Sequence, residues 1–174
     1  MPGLVIQNEI EISLFCDEDR QNLREFLAAA WLEAHTDELG EELSSLLVSR
    51  LDAPDLGGVI PSDNGCVYLA RSISGIVGSL VCAHRGEVVH IWACYLARHY
   101  QRKGLGRRML KIAMAEYSSE FVAGLYVLKQ STSAQAFYTR LGFIDCGEVQ
   151  FEVVPGTYTP ARIMQARIGN LVLG

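Results

Sequence analysis

The sequence contains no apolar run approaching the ~20 residues that a membrane-crossing helix requires. Its start, Met1, Pro2, Gly3 and then Leu4 to Ile6, lacks both a basic segment and a long apolar stretch of the secretory kind. A cytoplasmic protein without membrane attachment is the expectation. The five cysteines, Cys16, Cys66, Cys82, Cys94 and Cys146, are odd in number, scattered and without a C-x-x-C pair, so they signal neither a disulfide framework nor a metal site. They are expected to be reduced and mostly in the core. Also missing is the basic excess that neutralises nucleic-acid phosphates, since the formal charge is -5. No internal repeat, low-complexity tract or linker interrupts the chain.

What charge there is falls unevenly. Arg98, Arg102, Lys103, Arg107, Arg108 and Lys111 place six of the fifteen Lys and Arg in one short segment, whereas Glu33 to Glu42 carries five acids and neither Lys nor Arg. An acidic protein with one local basic cluster suits a small anionic ligand. With 174 residues, 49% of them hydrophobic, the chain can bury roughly 70% of its unfolded surface, which favours one domain over 1–174 with a core from about 10 to 168.

Alternation of Ile10, Ile12 and Leu14 with polar residues predicts a first strand. Asp17 and Asp19 are then expected to cap a helix carrying Leu23, Phe26, Leu27, Ala30 and Trp31 at helical spacing, and a second helix follows over about 41–51. Strands are predicted at about 66–71, 75–84 and 88–96, joined by turns short enough for antiparallel hairpins. A helix from Gly104 to about Tyr117, a strand over 122–128, a helix over about 133–141 stopped by Gly142, and strands over about 143–153 and 161–168 complete the order β-α-α-β-β-β-α-β-α-β-β. That order implies an α/β (α+β) fold, one mixed and mostly antiparallel sheet with helices on both faces.

Chemistry concentrates where the strand over 88–96 runs through a loop into the helix opening at Gly104. A helix N-terminus has backbone N–H groups without intrahelical acceptors and a partial positive charge, so it attracts anions. Gly104 and Gly106 would let a phosphate approach that backbone, and Arg102, Lys103 and Arg107 add formal charge at its mouth. The result reads as a pyrophosphate site. It is neither a P-loop, since G-x-x-x-x-G-K-[ST] is missing, nor a dinucleotide fingerprint, since Met109 stands where a third small residue is needed. A glycine-rich turn with ordinary helix capping is the plain alternative.

Gln101-Arg102-Lys103-Gly104-Leu105-Gly106 resembles the Q/R-x-x-G-x-G/A signature of the GNAT superfamily of N-acetyltransferases, and Ala134-Gln135-Ala136-Phe137-Tyr138-Thr139-Arg140-Leu141-Gly142-Phe143 resembles that family's second motif. The resemblance covers Ile10 to Ile168. It implies that the strands over 88–96 and 122–128 splay apart around acetyl-CoA as co-substrate, with no metal. The backbone of Tyr95 and Leu96 would pair with the pantetheine arm, N–H groups from Arg102 to Arg107 would hold the pyrophosphate, and Ser131, Ala134 and Phe137 would complete the cofactor site. Ser131 stands where the family commonly has Asn, and Arg98 where it commonly has Pro, which puts one cofactor contact in doubt and alters the loop's stiffness.

The same resemblance makes Tyr138 the group that protonates the departing coenzyme A sulfur, against a packing aromatic as the plain alternative. His90, at the position where several relatives carry a catalytic glutamate, becomes the base that takes the amine's proton, directly or through water. Strand parity puts His90, Trp92 and Cys94 on one face. The acceptor amine would enter past the first two helices and the last strand pair, with Trp31, Glu33, Glu38, Glu41, Glu42 and Tyr158 as candidates; the acids read equally well as a solvated helix face. A catalytically silent acyl-CoA-binding regulatory module on the same fold is the alternative to an enzyme, and a homodimer is one option for the assembly.

Overall fold

In the computed structural model, which describes residues 9–174, four helices flank one seven-stranded sheet. The elements are β1 (Glu11–Leu14), α1 (Arg20–Leu39), α2 (Glu41–Ser49), β2 (Gly65–Ser72), β3 (Gly75–Arg85), β4 (Val88–Leu96), α3 (Leu105–Met114), β5 (Val122–Leu128), α4 (Thr132–Leu141), β6 (Ile144–Val154) and β7 (Thr157–Arg167). The sheet order is β1-β2-β3-β4-β5-β7-β6, and every neighbouring pair is antiparallel except β4 with β5.

Two apolar layers sandwich the sheet because its strands alternate. On one face Leu23, Leu27 and Trp31 of α1 pack with Leu51, Val67, Leu69 and Val81. On the other, Leu105, Met109, Leu110, Ala113 and Met114 of α3 and Tyr138 and Leu141 of α4 pack with Tyr68, Ala70, Leu80, Cys82, Val89 and Ile91. At ~25 cal/mol per Å² of apolar area these layers dominate stability. Gly142, with φ of 105°, ends α4 in the left-handed region as anticipated.

Three expectations need correction. Asp17 and Asp19 do not cap α1 through their side chains. Asp19 instead turns back, accepting from the Cys16 backbone N–H at 2.9 Å and from both terminal nitrogens of Arg71 at 2.6 and 2.7 Å, which joins the helix entry to β2. The helix after Gly104 ends at Met114, three residues early, in a turn that brings the Tyr117 hydroxyl to the Cys82 sulfur. The last strand starts at Thr157, closing a tight hairpin with β6. Of the five free cysteines Cys82 is buried, Cys66 and Cys94 pack against the core as anticipated, and Cys16 and Cys146 are exposed. No described helix is long and apolar enough to cross a membrane.

Candidate active site

The parallel pairing of β4 with β5 lasts three residues, Val88 with Val122, Val89 with Ala123 and His90 with Gly124. From Ile91 and Leu125 onward the strands separate and a split opens towards their C-terminal ends. A β-bulge contributes. Between the pairs Val81 with Trp92 and Ser79 with Tyr95, β4 carries one more residue than β3, with Ala93 at φ of 50°. The fully buried Ser79 hydroxyl pins the bulge by donating to the Ala93 carbonyl at 2.7 Å.

The bulge reverses the phase of β4. Trp92, Ala93 and Tyr95 pack on the α1 face, while Cys94 and Leu96 pack on the face of Val89 and Ile91. His90 therefore shares a face with Trp92 but not with Cys94, contrary to simple alternation. Cys94 meets Tyr138 of α4 instead. Burial pushes the Cys94 thiol up to about 11. Burial first, and the Cys94 sulfur second, push the Tyr138 phenol well above its ordinary range. Tyr138 thus remains a hydrogen-bond donor throughout the neutral range, with its ring held edge-on between Phe137 and Phe143. His90 is exposed, at the vertex of the split, with neither ring nitrogen hydrogen-bonded among the described residues.

Beyond β4 the loop delivers the uncapped start of α3. The bond from the Arg108 N–H to the Gly104 carbonyl leaves the N–H groups of Leu105, Gly106 and Arg107 without intrahelical acceptors, and no side chain caps them. Arg102 and Gly104 both have positive φ, 60° and 81°, a winding that suits anion-holding backbone concavities. The two glycines have different jobs. Gly104 supplies the left-handed turn and has open space around it, whereas a Cβ on Gly106 would meet the Phe137 ring at 3.1 Å. Arg102, Lys103 and Arg107 are exposed around this N-terminus, and a cavity of about 380 Å³ lined by His99, Tyr100, Lys103, Gly104 and Arg108 lies against it. Gln101, though exposed, folds back to donate to the Leu96 carbonyl at 3.0 Å, which stiffens the loop. Ala134 and Phe137 pack against the apolar layer beneath.

On the α1 face lies a group that periodicity alone did not single out. His35 Nε2 is 2.7 Å from the Tyr95 hydroxyl and Nδ1 is 3.1 Å from Glu38, whose two oxygens accept from the Ser131 hydroxyl at 2.7 and 2.8 Å. Ser131 thus spends its hydroxyl on α1. Trp31 packs against Tyr95 with ring centroids 6.3 Å apart. The remaining acceptor candidates do not converge: Glu33 is paired with Arg98, Glu41 and Glu42 are exposed in the first turn of α2, and Tyr158 donates to Glu152. No group of three or more His, Cys, Asp or Glu among the described residues is placed to hold a metal ion.

Comparison with known proteins agrees with this architecture. The sequence is 30% identical over 114 residues to N-acetylaspartate synthetase of Xenopus tropicalis, a match over 62% of this chain and 41% of that protein, so the chain spans well under half of that relative. The fold is similar to the PaiA N-acetyltransferase of Thermoplasma acidophilum solved with coenzyme A, with a TM-score of 0.74, 20% identity and coverage of 91% of this chain and 99% of that one. It is also similar to the ribosomal-protein-S18-alanine N-acetyltransferase of Escherichia coli, with a TM-score of 0.61, 17% identity and coverage of 92% and 94%. The model of the acetyltransferase (GNAT) family matches residues 20–143, across both glycine loop and Tyr138 helix, and the chain belongs to that family.

Proposed function

We propose that the protein transfers an acetyl group from acetyl-CoA to an amine by direct attack within a ternary complex. The observation that carries this reading is the split between β4 and β5, which ends on one side at the uncapped α3 N-terminus and holds the neutral Tyr138 hydroxyl on the other. An extended thiol arm fits such a split as an added strand, pairing with the backbone of Tyr95 and Leu96. Its pyrophosphate meets the N–H groups and charges from Arg102 to Arg107, and Ala134 and Phe137 wall the arm from α4.

A lysine-type amine, with a pKa near 10.4, is mostly ammonium at neutral pH and has no lone pair to attack the thioester. His90, on the α1 face at the vertex, takes that first proton and passes it to solvent. As the tetrahedral intermediate collapses, Tyr138 donates to the departing sulfur. Glu38, on the α1 face of the split, favours a cationic acceptor. The relatives' names concern different products and acceptors, so several acceptor classes are screened. Polyamines, aminoglycosides, amino acids, lysine derivatives and peptides with free N-termini are each incubated with acetyl-CoA while free thiol is followed. Amine-dependent thiol release is expected. Tight acetyl-CoA binding with no release for any amine would favour the regulatory-module reading.

A further inference from the structure

The linked side chains Tyr95, His35, Glu38 and Ser131 form one chain across the α1 face of the split, from β4 to the turn after β5. The carboxylate of Glu38 can only accept, so His35 Nδ1 carries the hydrogen and Nε2 offers its lone pair to the Tyr95 hydroxyl. His35 is held at both nitrogens, with side-chain exposure of 12%, and Glu38 has 18%. His90, by contrast, is exposed and unoriented. A hydroxyl polarised by an imidazole that is itself oriented by a carboxylate is the arrangement by which a weak acid becomes a proton acceptor and relay.

Resting on the acetyl-transfer reading, we propose that His35, acting through the Tyr95 hydroxyl and positioned by Glu38 and Ser131, takes the second proton of the attacking amine. After His90 has removed the first, nitrogen attacks the carbonyl carbon and the new C–N bond leaves nitrogen positive with one hydrogen too many. The C–S bond breaks with its electron pair on sulfur, which takes the Tyr138 proton. Nitrogen passes its surplus proton to Tyr95 Oη as the Tyr95 hydrogen moves to His35 Nε2. The spare proton on His35 then leaves through Tyr95 to water in the emptied split while Tyr138 regains a proton from solvent, so one ammonium and one acetyl-CoA give one amide, one free thiol and a single net proton. The charged or titratable groups around His35 are Glu38 on its own helix, Tyr95 with Cys94 and Tyr138 beyond it, and the Glu33–Arg98 pair on the neighbouring turn.

The test uses the full chain, acetyl-CoA and the best amine from the screen above, with His35→Gln, Tyr95→Phe and the pair combined. Each single change is expected to lower kcat ~10²-fold, to keep the thermal shift produced by acetyl-CoA, and to remove a histidine-range acid limb from the pH profile of kcat. The double variant should be no slower than either single one, as for groups that act as a unit. Glu38→Gln should weaken the Nδ1–H form of His35, read directly by nitrogen NMR of histidine-labelled protein. A parental kcat profile in His35→Gln, or His35 found as the Nε2–H form in the parent, overturns the relay while leaving acetyl transfer standing. A parent that acetylates no amine contradicts both.

Discussion

Tyr138 and His90 are single side chains whose roles can be separated by removing one atom or one ring. Tyr138→Phe retains the ring packed between Phe137 and Phe143 and deletes only the hydroxyl, so turnover should fall ~10²-fold with acetyl-CoA affinity nearly intact. Unchanged turnover would make Tyr138 a packing residue. His90→Ala should remove the histidine-range acid limb from the pH profile of kcat/KM, and a profile matching the parent would assign the first proton to water. Both positions stand out in the sequence because they lie at fixed distances from short motifs. His35 was not, because it reads as one more polar residue on an acid-rich helix, and its partners Tyr95 and Ser131 are far away in the chain. Ser79 escaped notice for a similar reason: a serine inside an apolar strand carries no sign that it will hold a bulge.

The sequence pattern marks where elements lie more closely than it marks their phase. The bounds of β4 and β5 match the pattern of the sequence residue for residue, and the order of all eleven elements follows from it. The bulge did not, since Trp92, Ala93, Cys94, Tyr95 and Leu96 are apolar whichever face they take, so no polar residue marks the change of phase. At the start of α1 the difference is one of partner: an acidic residue before a helix suggests a cap, but Arg71 on β2 offers Asp19 a stronger, charged partner. The Arg71 guanidinium, together with the Cys16 N–H, holds the Asp19 carboxyl far below the usual carboxylate range against the opposing effect of burial. Because its folded value is depressed, Asp19 contributes stability that is fully present above the ordinary carboxylate value of about 4 and is lost as pH falls towards the folded one. Asp19→Ala should therefore cost about 3 kcal/mol at pH 7 in urea unfolding, and the gap to the parent should narrow progressively below pH ~4. A gap independent of pH would show that the pair contributes through packing alone.

For the molecule as a whole, the proposed function rests on the split: a sheet that stays paired for three residues and then opens offers an extended cofactor room among strands, with the uncapped start of α3 beyond the end of the same strand. A split of this kind is a property of pairing between distant strands, so composition and periodicity could not announce it; the glycine loop and its family resemblance did. Whether that split receives acetyl-CoA decides the proposed function. A ligand held only by the native state adds about 2.7 kcal/mol at a hundred times its dissociation constant, or an increase in Tm of roughly 5–10 °C for a chain of this size. Gly104→Val, which forces a branched side chain into a left-handed position, should abolish the increase by displacing the first N–H groups of α3. The decisive measurement is the melting curve of the unmodified protein with and without acetyl-CoA: an upward shift lost in Gly104→Val is expected, and an unmoved transition in the unmodified protein would contradict the proposed function.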